Sequence, residues 1–198
     1  MIVAIERAAS LLRRGDPVAF ATETVYGLGV DALEPKALAR LQALKGTSER
    51  RAYAVLVPDV ATLEALAPEM SASAQRLARR FLPGPLTLVV EGYDVRLSGL
   101  ASDQGVGFRC SSHPTAQALA ARFGGPLVAT SCNRAGEPPC GTAREVERVF
   151  GPDLAIAGSG DAGGAPVSTV IALGRKDPPR LLRPGAIPFS RILEEFEP

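Results

Sequence analysis

Apolar positions along this chain switch between a spacing of three to four residues and short unbroken runs, and the switching predicts helices that alternate with strands. Ile2, Ile5, Ala9 and Leu12 form one stripe of an opening helix, which Gly15-Asp16-Pro17 closes before the strand Val18-Ala19-Phe20. Ala37, Leu38, Leu41 and Leu44 mark the apolar face of a second helix over 35–44, with Asp31 near its start as a capping region. Ala54-Val55-Leu56-Val57 reads as a strand, 60–67 as a short helix and 71–80 as a longer one with Leu77 and Ala78 inward. Leu82-Pro83-Gly84-Pro85 is a stiff architectural turn before a buried strand over 86–90. Residues 105–109 form another strand, and His113-Pro114 opens a helix carrying Ala118, Leu119 and Ala121. A strand over 126–129, a helix over 143–150 announced by the capping box Thr142-Ala143-Arg144-Glu145, a strand over 168–172 and a terminal helix over 190–196 complete the pattern. The glycine-rich segment 158–164 lacks the Gly-Lys-Ser/Thr ending of a phosphate loop and reads as a flexible connection. Strands separated by helices give an α/β fold of the open twisted-sheet kind, as a single domain over 1–198.

Composition narrows the chemistry. A chain of 198 residues with 46% apolar content fills the core of one domain. A net charge of +1 provides no overall attraction to nucleic acid. Cys110, Cys132 and Cys140 have none of the spacings of a metal site, and His113 is the only histidine, so reduced thiols and no protein-built metal site are expected. A Ser-His-Asp hydrolase would lack its usual base. The start of the chain has no basic region leading into an apolar core, and no run approaches the roughly 20 residues of a membrane span, so a soluble, cytoplasmic protein is expected.

Polar residues interrupt the pattern at strand ends. Ala21-Thr22-Glu23-Thr24-Val25-Tyr26-Gly27-Leu28-Gly29 puts hydroxyls, a carboxylate and two glycines directly after the first apolar run. If extended, it places Thr22, Thr24 and Tyr26 on one side, and the glycines would permit positive φ or close approach of a ligand; an ordinary turn is the plainer reading. Lys45 ends the second helix, where the helix dipole alone favours a cation. Arg109, at the end of an apolar strand, is either a structural ion-pair partner or a ligand for an anion. Cys132 reads as a packed thiol between Ser131 and Asn133.

These segments, with Lys45-Gly46, Phe81-Leu82-Pro83-Gly84-Pro85-Leu86-Thr87, Val106-Gly107-Phe108-Arg109, Thr130-Ser131-Cys132-Asn133, Ser168-Thr169-Val170 and Leu182-Arg183-Pro184-Gly185, resemble in order and spacing the YrdC-like (TsaC-type) threonylcarbamoyl-AMP synthases. The resemblance covers nearly the whole chain. It implies a single YrdC-like domain with a mixed sheet curved around a wide basic cavity, without the extra C-terminal domain that longer relatives possess. The implied activity is that of a nucleotidyltransferase that makes threonylcarbamoyl-AMP and pyrophosphate from L-threonine, bicarbonate and ATP. The product would feed the threonylcarbamoyl modification of tRNA adenosine 37 through downstream threonylcarbamoyl-transferase proteins, with tRNA or other RNA as a further partner. Mg2+ would accompany ATP. Lys45, Ser131, Asn133 and Arg183 would bind ATP; Thr24, Arg109 and Ser168 would bind threonine; Lys45, Thr24 and Arg109 would carry the catalytic roles; Thr22, Tyr26, Thr130, Arg50 and Arg51 are further candidates. Two positions depart from the family. Thr47 stands where it has a phosphate-binding arginine, and Pro139-Cys140-Gly141 stands where it often has Ser-Pro-Thr. Two other readings are an RNA-binding translation or ribosome-assembly factor, and a nucleotide-binding paralogue with lost or altered activity.

Overall fold

The computed structural model describes residues 1–47, 53–174 and 178–196. In chain order the elements are β1 (Ile2–Val3), α1 (Ile5–Arg13), β2 (Val18–Phe20), β3 (Gly27–Asp31), α2 (Pro35–Lys45), β4 (Ala54–Leu56), α3 (Val60–Leu66), α4 (Ala72–Phe81) and β5 (Leu86–Val90). A short 3-10 helix (Val95–Leu100) leads to β6 (Val106–Arg109), α5 (Pro114–Phe123), β7 (Leu127–Ser131), α6 (Ala143–Phe150), β8 (Ala155–Ala157), β9 (Thr169–Leu173), β10 (Arg180–Arg183) and α7 (Phe189–Phe196). The described strands join in one mixed sheet ordered β1-β8-β2-β3-β7-β4-β6-β5-β9-β10. β1 and β2 both run parallel to β8, β4 to β6 and β5 to β9, while the other neighbours are antiparallel.

Helix boundaries follow local chemistry. α2 starts at Pro35 because proline has no N–H to lose in a first turn, and Glu34 caps it by accepting from Lys36 N; Asp31, the expected cap, accepts from Leu33 N instead. Gly46, at φ +69°, ends the helix in the left-handed conformation that glycine adopts without strain. His113 caps α5 through its ring nitrogen, and the reciprocal bonds of Thr142 and Glu145 form the expected capping box on α6.

Side chains alternate across the central strands, and that alternation creates the site. Val55, Leu88, Phe108, Val128 and Ile171 point into the main apolar core. Their neighbours Ala54, Leu56, Thr87, Val89, Gly107, Arg109, Ala129, Ser131 and Val170 line a cavity on the opposite face. A second cluster seals the other end of the sheet, where Ala8, Ala9 and Leu12 of α1 meet Ala116, Leu119 and Ala120 of α5 over Val18 and Phe20.

Four strands depart from the sequence pattern. Ile2 belongs to the edge strand β1, not to the opening helix, and β3, β8 and β10 occupy segments where no strand is expected. In β3 neither glycine has a positive φ. Their small size is used by Phe20 of β2, because a Cβ on Gly27 would stand 2.7 Å from the Phe20 ring, and one on Gly29 would stand 2.9 Å from that ring and 2.7 Å from the Val128 carbonyl oxygen. Gly29→Ala is therefore expected to destabilise the fold by about 1–3 kcal/mol, as overpacking does. Urea unfolding should show a lower midpoint with an unchanged slope, and an unaltered midpoint would dismiss this steric account.

Candidate active site

The cavity has a volume of about 450 Å3, within the ~300–1,000 Å3 of small-molecule sites. Among the described residues, two cations face it. Arg109 ends β6, and its Nη2 donates to Thr24 Oγ1 at 2.8 Å, Glu23 Oε1 at 2.9 Å and Thr22 Oγ1 at 3.4 Å. Its Nε is buried without a hydrogen-bond partner. Arg183 ends β10 and donates through Nη2 to both the carbonyl and the hydroxyl of Ser168 at 2.9 Å. Burial, and then the charge of Arg109, lower the pKa of Arg183.

Glu23 and Arg109 form an ion pair whose side chains are only 14% and 13% exposed. Burial pushes the Glu23 carboxyl up, but the Arg109 charge and hydrogen bonds from Ser111 and Arg109 outweigh it and hold it below the ordinary range. Thr22 and Thr24 join the same network, their hydroxyls 3.0 Å apart. The Tyr26 hydroxyl donates to the Gly160 carbonyl, and burial followed by the Asp161 charge raises it to about 12.

The segment 158–164, expected as a flexible connection, is tied to this stretch. Gly163 N donates to the Thr22 carbonyl at 2.9 Å and Gly164 N to that of Thr24 at 3.1 Å. A Cβ on Gly163 would lie 2.5 Å from the Glu23 carbonyl oxygen, so only glycine fits so close.

Of the residues selected from the sequence, Thr22, Thr24, Tyr26, Arg109, Thr130, Ser131, Asn133, Ser168 and Arg183 all line the cavity. Lys45 does not. It is 4% exposed, and its Nζ donates to the carbonyls of Ser131 at 2.6 Å and Asn133 at 2.9 Å, bracing the loop after β7. The Asn133 amide is also engaged, donating to the carbonyls of Arg134 and Glu137 and accepting from Ser131 Oγ. Arg50 and Arg51 lie outside the described residues.

Thr87 was missed. It lines the cavity, and its hydroxyl lies 3.0 Å from that of Ser168. The signal was present, for Thr87 is the single polar residue in the apolar run of β5 and alternation turns it away from Leu86 and Leu88. Glu23 and Ser111 had no role assigned. Cys132 is buried as expected; hydrogen bonding with Cys140, then burial, push its thiol up.

The Sua5/YciO/YrdC family model, described as telomere recombination, matches residues 10–185. The chain belongs to this family. Among relatives, the threonylcarbamoyl-AMP synthase of Pyrococcus abyssi is 38% identical over 191 residues, which are 95% of this chain and 56% of that protein. The threonylcarbamoyl-AMP synthase of Bacillus subtilis is 37% identical over 192 residues, covering 95% of this chain and 55% of its own length. The chain thus spans little more than half of these two proteins. The crystal structure of P. abyssi Sua5 complexed with L-threonine superposes with a TM-score of 0.87 at 35% identity, covering 98% of this chain and 60% of that one.

The depressed Glu23 carboxyl sets the sign of a pH effect within this Sua5/YciO/YrdC domain. Its contribution to stability is full above the pKa of the unfolded chain, near 4.5, and is lost as pH falls through the lower folded value. Denaturant midpoints measured from about pH 6 to pH 2 should fall less steeply toward acid in Glu23→Gln than in wild type. Parallel acid limbs would show that this pair carries no linkage.

Proposed function

We propose that the chain is an L-threonylcarbamoyladenylate synthase, a nucleotidyltransferase that joins L-threonine, bicarbonate and ATP. The observation that carries this reading is the pairing of Arg109 and Arg183 in one cavity, each anchored by hydroxyl-bearing residues. Two cations that raise each other's energy favour a ligand set with negative charge at two places. A carboxylate on one substrate and phosphates on the other meet that requirement, and a guanidinium fork suits both. The names of the Pyrococcus and Bacillus relatives, and the threonine in the Pyrococcus Sua5 structure, support the choice of substrates.

In this reading Arg109, with Thr24 beside it, holds the threonine carboxylate, and Ser168 and Thr87, whose hydroxyls are 3.0 Å apart, also face the substrate. Arg183 neutralises phosphate charge. Thr22 and Thr24 line the place where the carbamate forms. The threonine amine captures bicarbonate as an N-carboxylate with release of water; this anion attacks the ATP α-phosphorus, and pyrophosphate leaves. Catalysis then consists of positioning and charge stabilisation, without a covalent enzyme intermediate. Lys45 acts at one remove, by fixing the main chain that presents Ser131 and Asn133. Magnesium would enter with ATP, as part of the MgATP substrate. The product would pass to threonylcarbamoyl-transferase proteins acting on tRNA. No helix among the described residues is long and apolar enough to cross a membrane.

The deciding measurement is pyrophosphate release from MgATP with bicarbonate, with and without L-threonine. Release is expected to require threonine. Arg109→Ala and Arg183→Ala should each lower kcat/KM about a hundredfold, about 2.7 kcal/mol of transition-state stabilisation. Binding of ATP with no threonine-dependent pyrophosphate would instead make this chain a paralogue with a different reaction.

A further inference from the structure

Within the stretch 22–27, Thr22, Thr24, Val25, Tyr26 and Gly27 line the cavity, and Glu23 does not. Its carboxylate meets two protein groups instead. Oε1 accepts from Arg109 Nη2 at 2.9 Å, and Oε2 accepts from the Ser111 hydroxyl. We propose that Glu23, itself held by Ser111, is a positioning residue that fixes the Arg109 guanidinium for the carboxylate of the amino-acid substrate. The proposal rests on the function argued above.

Arginine reaches its ligand on a long flexible stem, and a bidentate contact requires the guanidinium plane to be set beforehand. Here Nη2 is gripped by Glu23 and Thr24, with Thr22 more distant. The two threonine hydroxyls also bond each other, so they are partly engaged already. The bond to Glu23 is charge-assisted and mostly removed from water, which makes it the stronger grip. With Nη2 held, Nε remains a buried donor without a partner, a state that native structures rarely leave unexplained.

An anchor must itself be immobile. The main chain of Glu23 is pressed by the glycine segment, where Ala165 N donates to its carbonyl at 3.4 Å and Gly163 lies flush against the same oxygen. Ser111 is fully buried, and its hydroxyl accepts from His113 N at 3.2 Å, which ties the far side of the carboxylate to the start of α5. Glu23 is therefore fixed at both ends, and Arg109 is the partner free to be set by it.

The test uses the whole chain, with Glu23→Gln as a variant of unchanged shape and Ser111→Ala as a milder one. Steady-state kinetics would give separate KM values for threonine and ATP. The exchange of the Arg109 Nε proton would be followed by 15N NMR, its signal assigned by its loss in Arg109→Lys. Glu23→Gln is expected to raise the threonine KM roughly tenfold, leave the ATP KM within about twofold and accelerate the exchange; Ser111→Ala should do the same more weakly. A threonine KM that is unchanged or lower overturns the proposal, since Glu23 would then only compete with substrate for Arg109. Equal rises in both KM values, or an unaltered exchange rate, overturn it as well. If wild type makes no threonine-dependent pyrophosphate, the proposed function fails and the exchange rate alone decides: faster exchange in Glu23→Gln upholds the anchoring of Arg109, and an equal rate overturns it.

Discussion

Arg109 and Arg183 stand on one cavity and repel each other, and much of the surrounding structure answers that constraint. Burial would add to the cost, because a desolvated guanidinium cannot shed its charge. The two are stabilised differently. Arg109 has a carboxylate partner in Glu23, whereas Arg183 is held by the neutral carbonyl and hydroxyl of Ser168. One cation is thus largely compensated and the other keeps its field in the cavity. A site built this way retains attraction for anions without two bare charges in a partly dry space.

Rigidity comes from the sheet. β4, β5, β6, β7 and β9 each send one set of alternate side chains into the core and the other set into the cavity wall, so the backbone under each cavity residue is fixed by its core-packed neighbours. Arg109 sits one residue beyond Phe108, which is wholly buried, and Ser168 directly precedes Thr169, whose hydroxyl bonds the Ile187 main chain on both sides. Arg109 is therefore presented by packed backbone, whereas Arg183 ends the exposed edge strand β10 and is held in place through Ser168.

The same alternation explains what could be read in advance. Helices with chemical punctuation, such as α5 behind His113-Pro114 and α6 behind its capping box, were legible because their ends are local events. β1 was not, since Ile2 and Ile5 satisfy a helical spacing and only the distant β8 makes two residues into a strand. β3 was hidden by two glycines, poor strand formers whose presence makes sense only once Phe20 is laid across them. Residues at the ends of strands, Arg109 and Ser131, could be picked out as site candidates because a polar group after an apolar run is visible in one dimension. Glu23, Ser111 and Thr87 act through partners 86, 88 and 81 residues away, and such pairings are set by topology.

The same distinction bears on the two departures from the family pattern. At 139–141 the expected hydroxyl is gone, yet the main chain there is fully used: Cys140 N donates to the Cys132 carbonyl at 2.9 Å, and its own carbonyl accepts from Tyr26 N at 2.8 Å. Cys132 N in turn donates to the Tyr26 carbonyl at 2.8 Å, closing a ring of backbone bonds that joins three parts of the cavity wall. The missing hydroxyl belongs to position 139 or 141, whereas the ring runs through the main chain of residue 140, so this departure costs one polar contact and not the frame. Thr47 is a different case. It follows Gly46, whose left-handed turn ends α2, and Thr47 N donates to the Gln42 carbonyl, so the residue is set at the very end of the helix that carries Lys45. A threonine there has neither the reach nor the charge of an arginine. In the proposed reading, Arg183 is the cavity cation among the described residues that is left to meet phosphate charge, since Arg109 is paired with Glu23.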